Sequence, residues 1–254
     1  MTGWDELGDG VFRRRYAELD QNIGLIVGDE DLLVIDSRSH PHHGRVLRDH
    51  IGEVSSLPVR WLVNTHWHWD HCFGNAAFPE AVIVGHERCR RALVERGAAE
   101  LDRLKWVDWF PESERPWLDE VEILPPTLVF DQRTPLWAGG RVVELSHHGW
   151  GHTDADIVVA VDDVTFVGDL VEEGNPPSFD DGYPRSWVET LRTLLLRLGA
   201  VVVPGHGDVV DRGFVEEQAD QIEAAVTGGS APFPPHVMGV IVDRLEVEAA
   251  LLLN

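Results

Sequence analysis

The stretch His66-Trp67-His68-Trp69-Asp70-His71 places four potential metal ligands within six residues. It follows the apolar run Trp61-Leu62-Val63, which reads as a buried strand passing through Asn64 and Thr65 into His66. If the chain stays extended there, His66 and His68 project to the same side, because side chains on a strand repeat every two residues. Helical zinc sites instead place two histidines at i and i+4. Imidazole with carboxylate suits zinc, and also iron or manganese. A solvent-exposed polar loop has a similar composition; the donors that recur further along the chain favour a shared site.

Working outward, the same pattern repeats. Leu32-Leu33-Val34-Ile35 runs into Asp36, and Val142-Val143-Glu144-Leu145 precedes His147, His148 and His152. Val164-Thr165-Phe166-Val167 leads to Gly168 and Asp169, and Val201-Val202-Val203 leads through Pro204 and Gly205 to His206. Val11 to Val27 reads as two more strands with a turn. Helical spacing is expected over Arg45–Ile51, Glu87–Lys105, Trp187–Leu198, Phe214–Val226 and Pro235–Leu252. The chain is thus α/β, with ligand-bearing loops at one end of the strands. Without a clean linker, residues 1–254 are expected to form a single domain. Val107–Pro126, rich in proline and tryptophan, is expected to be a lid insertion, and residues 214–252 a C-terminal helical segment. Gly174–Arg185 is a second long loop, directly after Asp169.

The formal charge is 21 − 44 = −23. Such a field repels phosphate backbones and anionic membranes, so neither nucleic acid nor a membrane surface is an expected partner. Much of the acid reads as a solvated outer face. Cys72 and Cys89 alone cannot build a disulfide framework. No apolar run reaches the roughly 18 residues of a membrane span, and Met1–Glu6 lacks a secretory pattern. A cytoplasmic location is the expectation, with a small-molecule substrate. The Leu251-Leu252-Leu253 run reads as core or as a contact in a homo-oligomer.

His66-x-His68-x-Asp70-His71 resembles the signature of the metallo-β-lactamase superfamily. Asp36, Gly151-His152-Thr153, Gly168-Asp169 and Pro204-Gly205-His206-Gly207 follow the family's other motifs in order, from about residue 30 to 210. The resemblance implies an αββα four-layer sandwich, the metallo-β-lactamase fold, with metals in a cleft at one edge. It implies that His66, His68 and His152 hold one metal, that Asp70, His71 and His206 hold a second, and that Asp169 bridges them. Asp36 is expected to orient ligands from behind. Two zinc ions about 3.5–4 Å apart would share and acidify a hydroxide for attack on a carbonyl, with Asp70 steering the proton. The implied activity is hydrolysis of an ester, lactone, thioester or amide. The alternative is a non-hydrolytic metal or redox protein of the same fold, such as an iron-dependent persulfide-oxidising enzyme, which would leave His71 and His206 superfluous as ligands.

Two departures bear on substrate. The family's β-lactamases commonly carry Cys or Ser at the bridging position, where this chain has Asp169, as do hydroxyacylglutathione hydrolases and lactonases. The thioesterase pattern Asp-His-x-Gly-Gly is replaced by Asp70-His71-Cys72-Phe73-Gly74, and Trp150 stands where Pro is frequent. A glutathione thioester is disfavoured because the C-terminal part offers mainly Arg212 and Arg244 as anchors. Trp67, Trp109, Trp117 and Trp150 are the expected apolar wall for a hydrophobic substrate. His147 and His148 compete with His152, whose Gly-His-Thr context fits better. His40, His42, His43 and His50 read as loop and helix-face histidines rather than an extra metal site, His86 and His236 as structural, and Cys72 as a small buried thiol.

Overall fold

Alternation along the central strands sorts apolar residues to two faces, as a sheet buried on both sides requires. The structure is a computed structural model and describes residues 3–252. The first strands are β1 (Asp5–Gly8), β2 (Val11–Tyr16), β3 (Gln21–Val27) and β4 (Leu32–Ile35), followed by helix α1 (Pro41–Gly52). Next come β5 (Val59–Val63), the short α2 (Trp69–Cys72), β6 (Val82–His86), α3 (Glu87–Leu104), α4 (Arg115–Leu118) and β7 (Leu128–Phe130). The second half contains β8 (Arg133–Ala138), β9 (Arg141–Ser146), β10 (Val158–Val161), β11 (Val164–Glu172), α5 (Pro184–Leu194) and β12 (Val201–His206). Helices α6 (Arg212–Val226) and α7 (Pro235–Leu252) follow.

The strands form one mixed ribbon in the order β7-β6-β5-β4-β3-β12-β11-β10-β9-β8, with β2 and then β1 on β3. It folds back on itself where β3 meets β12 at the pair Gln21–His206. Leu33, Ile35 and Val63 of one half thereby meet Leu145, Val159, Phe166 and Val203 of the other in a central core. On the outer face of the first half, Leu32, Val34 and Leu62 pack under Leu47 and Ile51 of α1. On the outer face of the second, Val167, Val171 and Val202 pack under Trp187 and Leu191 of α5 and Val215 and Ile222 of α6. Helix, sheet, sheet, helix is the αββα sandwich. No described helix is long and apolar enough to cross a membrane.

Helix ends differ from the sequence expectation where capping decides them. α1 begins at Pro41, four residues before its periodicity shows, because Pro suits the first helical position and His40 Nδ1 accepts from His43 N at 3.3 Å. α5 starts at Pro184, not Trp187. The buried Glu248 of α7 accepts from Arg185 N and Ser186 N at 3.0 and 2.8 Å, capping α5 from elsewhere in the chain. Strands β1, β6, β7, β8 and β10 add to those expected: β6 and β10 are short Val-rich runs, whereas β8 carries Pro135 and alternates between exposed and buried positions.

Candidate metal centre

Strands β4, β5, β11 and β12 run parallel in pairs and bring their carboxyl ends to one edge of the sandwich. Asp36 follows β4, the His66–His71 loop follows β5, and His206 ends β12. Within β11 the register shifts on both sides of Gly168, whose φ of 54° turns Asp169 towards the site. Gly205 is required by close approach, since a Cβ there would overlap Asp169 Oδ1.

The seven anticipated side chains converge in two groups. His66, His68, His152 and Asp169 form one, and Asp70, His71 and His206 the other. In the first, His68 Nδ1 lies 2.8 Å from His152 Nε2, and Asp169 Oδ2 lies 3.6 and 3.5 Å from the Nε2 atoms of His66 and His152. In the second, Asp70 Oδ2 is 3.4 Å from both His71 Nε2 and His206 Nε2, which are 3.3 Å apart. Asp169 reaches this group too, at 3.2 Å from His71 and 3.5 Å from His206.

Partners behind the rings fix which nitrogen faces inward. His71 Nδ1 donates to Asp36 Oδ2 at 2.8 Å, and His68 Nε2 donates to Asp181 Oδ1 at 3.0 Å. His152 Nδ1 donates to the Ser178 carbonyl at 3.1 Å, and His206 Nδ1 to the Leu19 carbonyl at 2.8 Å. Thr65 Oγ1 gives its proton to Asp36, so it accepts from His66 Nδ1 at 3.1 Å. Each neutral ring therefore turns a bare lone pair towards the others and towards two carboxylates. His66 Nε2 and Asp169 Oδ1 are buried without a hydrogen-bond partner. Five lone pairs and two anions at such spacing repel one another unless positive charge lies between them. Ligands on a tetrahedral zinc, each at about 2.0–2.1 Å, stand about 3.3 Å apart, so the residues present fit metal ions.

The electrostatics carry the same demand. Burial disfavours charge on His71 and His206, yet the Asp169 and Asp70 carboxylates outweigh it and push both rings well above the ordinary imidazole range. His68 is raised to about 9, Asp181 overcoming the burial penalty. Burial holds His152 down to about 4. Asp70 and Asp169 stay well below the carboxylate range, the neighbouring imidazolium charges overriding their burial. The carboxylates require cations here; protons or metal ions supply them.

The centre opens into a cavity of about 540 Å³ lined by Leu19, Trp67, Trp69, Trp109 and the Arg96 and Arg103 side chains, among others. Arg96 lies over Trp67 at 4.2 Å and 3.8 Å from Asp181; Arg103 is paired with Glu100 at 2.6 Å. Both cations thus already have carboxylate partners. Trp67 and Trp109, expected as part of a substrate wall, line this cavity. Trp117 and Trp150 do not: Trp117 stacks on His42 at 4.1 Å, and Trp150 packs on Tyr183 at 4.8 Å, both outside the lining. Phe110 and Leu118 are buried with Trp67 and Phe73, so residues 107–126 are pinned by their own apolar side chains. Arg244, considered as a substrate anchor, donates to the Gly182 and Asp181 carbonyls and secures the loop that carries Asp181.

Asp181 and Glu172 escaped sequence reasoning. Nothing marks Asp181 within Gly174–Arg185 until the loop folds over His68. Glu172 is a largely covered carboxyl in the cavity lining, raised to about 8 by burial and by the Asp169 charge. His147 and His148 lie away from the centre, bonded to the Asp156 carbonyl and Ser146 Oγ. Cys72 and Cys89 are free and buried. His40, His43 and Glu114 form a third group of metal-capable atoms. His40 Nδ1 accepts the capping N–H of α1, so its Nε2 carries the proton and donates it to Glu114 at 2.9 Å. That pair is a hydrogen-bonded tie between α1 and the insertion.

Comparison with known proteins identifies the family. The model of the metallo-beta-lactamase superfamily matches residues 16–206. A type 2 metallo-beta-lactamase of Bacillus cereus is 33% identical over 97 residues, 35% of this chain and 38% of that enzyme's length. The type 2 enzyme of Bacillus sp. (strain 170) is 25% identical over 208 residues, 79% of this chain and 72% of its own. The solved metallo-beta-lactamase of Pontibacter korlensis superposes with a TM-score of 0.70 at 20% identity, covering 87% of this chain and 98% of that one. FIM-1 of Pseudomonas aeruginosa, solved in a mono-zinc form, gives a TM-score of 0.67 at 17% identity, covering 87% and 95%. With the ordered motifs and the sandwich in agreement with a family model that spans residues 16–206, the chain belongs to the metallo-β-lactamase superfamily.

Proposed function

We propose that this protein is a dinuclear zinc hydrolase that cleaves an ester, lactone, thioester or amide of a small hydrophobic substrate. The observation that carries the reading is the inward lock of five imidazole lone pairs onto Asp70 and Asp169. His66 Nε2, His68 Nδ1 and His152 Nε2 would hold one ion, Asp70, His71 and His206 the second, and Asp169 both. Zinc bound there supplies Lewis acidity, which acidifies water and polarises a carbonyl. Asp70 reaches both the second group and the cavity, where its carboxylate can take the proton released on attack. Glu172 faces the same cavity and is the carboxyl placed to pass a proton to the leaving group. Trp67, Trp69, Trp109 and Leu19 offer apolar surface to an acyl or aryl group.

The relatives are named as β-lactamases, but Asp169 stands where the resemblance expects Cys or Ser in such enzymes, and Arg96 and Arg103 are engaged with acids. Those features support neutral esters and lactones over anionic substrates. An iron redox role would leave the Asp70–His71–His206 group without a task. The test is metal content and turnover after EDTA stripping and zinc reconstitution, across lactones, thioesters, aryl esters and cephalosporins. Two zinc per chain with ester or lactone turnover is the expected result. One iron with oxygen uptake, or cephalosporin turnover above every ester, refutes the proposal.

A further inference from the structure

Leu19 and Asp20, in the turn between β2 and β3, are consecutive non-glycine residues in the left-handed region, with φ of 63° and 58°. Branched aliphatic side chains avoid this region because Cβ crowds the backbone carbonyl. Glycine would adopt it freely. Core packing does not demand the conformation, since the Leu19 side chain is 43% exposed at the mouth of the cavity. Backbone held in a disfavoured region by its surroundings is a recurrent feature of functional sites.

The turn is fastened to the metal centre at three successive residues. The Leu19 carbonyl accepts from His206 Nδ1 at 2.8 Å. The Asp20 carbonyl accepts from Gly207 N at 2.9 Å. Arg15 joins the Asp20 and Asp208 carboxylates. An extended or right-handed Leu19 would swing its carbonyl away from the His206 ring. His206 ends β12 at the sheet junction, and with His68 it is one of the two rings of the five that are not fully buried, so packing alone does not fix it.

Building on the reading of the centre as a two-metal site, we propose that the left-handed Leu19–Asp20 turn is the positioning device for His206, setting its tautomer and thereby the affinity of the second metal. Leu19 acts through its backbone carbonyl, and the identity of its side chain matters to the metal only through its tolerance of positive φ. This separates positioning from packing. Ranked by left-handed tolerance, the order is Gly, Asn, Leu, Val; ranked by apolar bulk, Val stands close to Leu and Gly comes last.

The experiment is a zinc titration of the EDTA-stripped full chain against a competing chromophoric chelator, on wild type, Leu19→Gly, Leu19→Asn and Leu19→Val. Gly and Asn should bind the second equivalent within about threefold of wild type. Val should bind it roughly 10-fold or more weakly, within the 10–100-fold range for lost ligand-orienting partners, with the first equivalent unchanged in all four. A second-equivalent ranking that follows bulk, or no difference among the variants, overturns the proposal. Nitrogen-15 NMR of the His206 ring gives a readout that does not depend on metal. Its Nδ1–H signal should persist in wild type, Gly and Asn and be lost or exchange faster in Val; equal signals overturn the proposal. A wild type that binds fewer than two zinc ions refutes the dinuclear reading instead, and the NMR ranking then decides on the turn.

Discussion

Replacing Asp36 with Asn tests whether the lone pairs are aimed from behind. Asp36 is buried, with a φ of 65° that Asp and Asn both tolerate, so D36N changes donors and acceptors while preserving shape. In the native chain Oδ1 accepts from Thr65 N, and Oδ2 accepts from both Thr65 Oγ1 and His71 Nδ1, each at 2.8 Å. The Asn oxygen can keep the bond to Thr65 N. Its NH₂ group then meets the other two donors. To avoid opposing N–H groups, the His71 proton must move to Nε2, which faces Asp70, Asp169 and His206. The second metal then loses a ligand, while His66, His68 and His152 keep theirs. A donor left unsatisfied in such a buried place costs about 1–3 kcal/mol. Loss of a ligand-orienting partner weakens metal binding about 10–100-fold, or about 1.4–2.7 kcal/mol. The expected result is a folded protein of lowered thermal stability that binds the first zinc normally and the second at least tenfold more weakly, read by chelator competition. Unchanged affinity for the second equivalent would refute the tautomer argument, and equal weakening of both would show that Asp36 merely supports the fold.

Asp181→Asn should act on the other ion: it frees His68 to carry its proton on Nδ1, so the first equivalent weakens about 10-fold or more while the second is spared; the opposite pattern refutes the assignment. Trp109→Ala should lower preference for long or aromatic acyl groups, whereas Trp117→Ala, which removes a stacking partner of His42 outside the cavity, should reduce stability and leave selectivity among esters unchanged. The converse result would mean that the wall is misassigned. Burial, with help from the Arg38 charge, holds His43 down to about 3. A group with a depressed folded-state value is neutral when folded but takes a proton when unfolded, so stability is lost as pH falls below about 6.5 and is flat above it. The wild type minus His43→Gln difference in urea-unfolding free energy of EDTA-treated protein should therefore shrink on acidification, by at most about 1.4 kcal/mol per pH unit, and less where solvent screens the ring. A difference constant from pH 7.5 to 5 would exclude this.

The legible part of this protein is the part where chemistry is written locally. Strands buried on both faces must be runs of Val, Ile and Leu, so β4, β11 and β12 announce themselves, as does the buried end Leu62-Val63 of β5, and the donors sit at their carboxyl ends because that is where the chain leaves the sheet. The candidate ligands are legible as an ordered set and not one by one: His147 and His148 also follow an apolar run, yet they lie away from the centre, bonded to the Asp156 carbonyl and Ser146 Oγ. What the sequence conceals is whatever depends on the return path of a loop. Asp181 is an unremarkable acid among Pro and Gly until the segment, held by Arg244, brings it to His68. Trp117 and Trp150 share composition with Trp67 and Trp109, and only the fold separates wall from scaffold. Leu19 is the extreme case, because its contribution to His206 runs through a carbonyl that every residue possesses. Its trace is a backbone angle, and one-dimensional pattern has no symbol for that. The sequence is therefore most eloquent about which atoms would hold a metal and least about what aims them. Yet aim decides whether His71 and His206 present a lone pair or a proton, so the difference between a metal centre and a cluster of charged side chains rests largely on Asp36, Asp181, Thr65 and two backbone carbonyls.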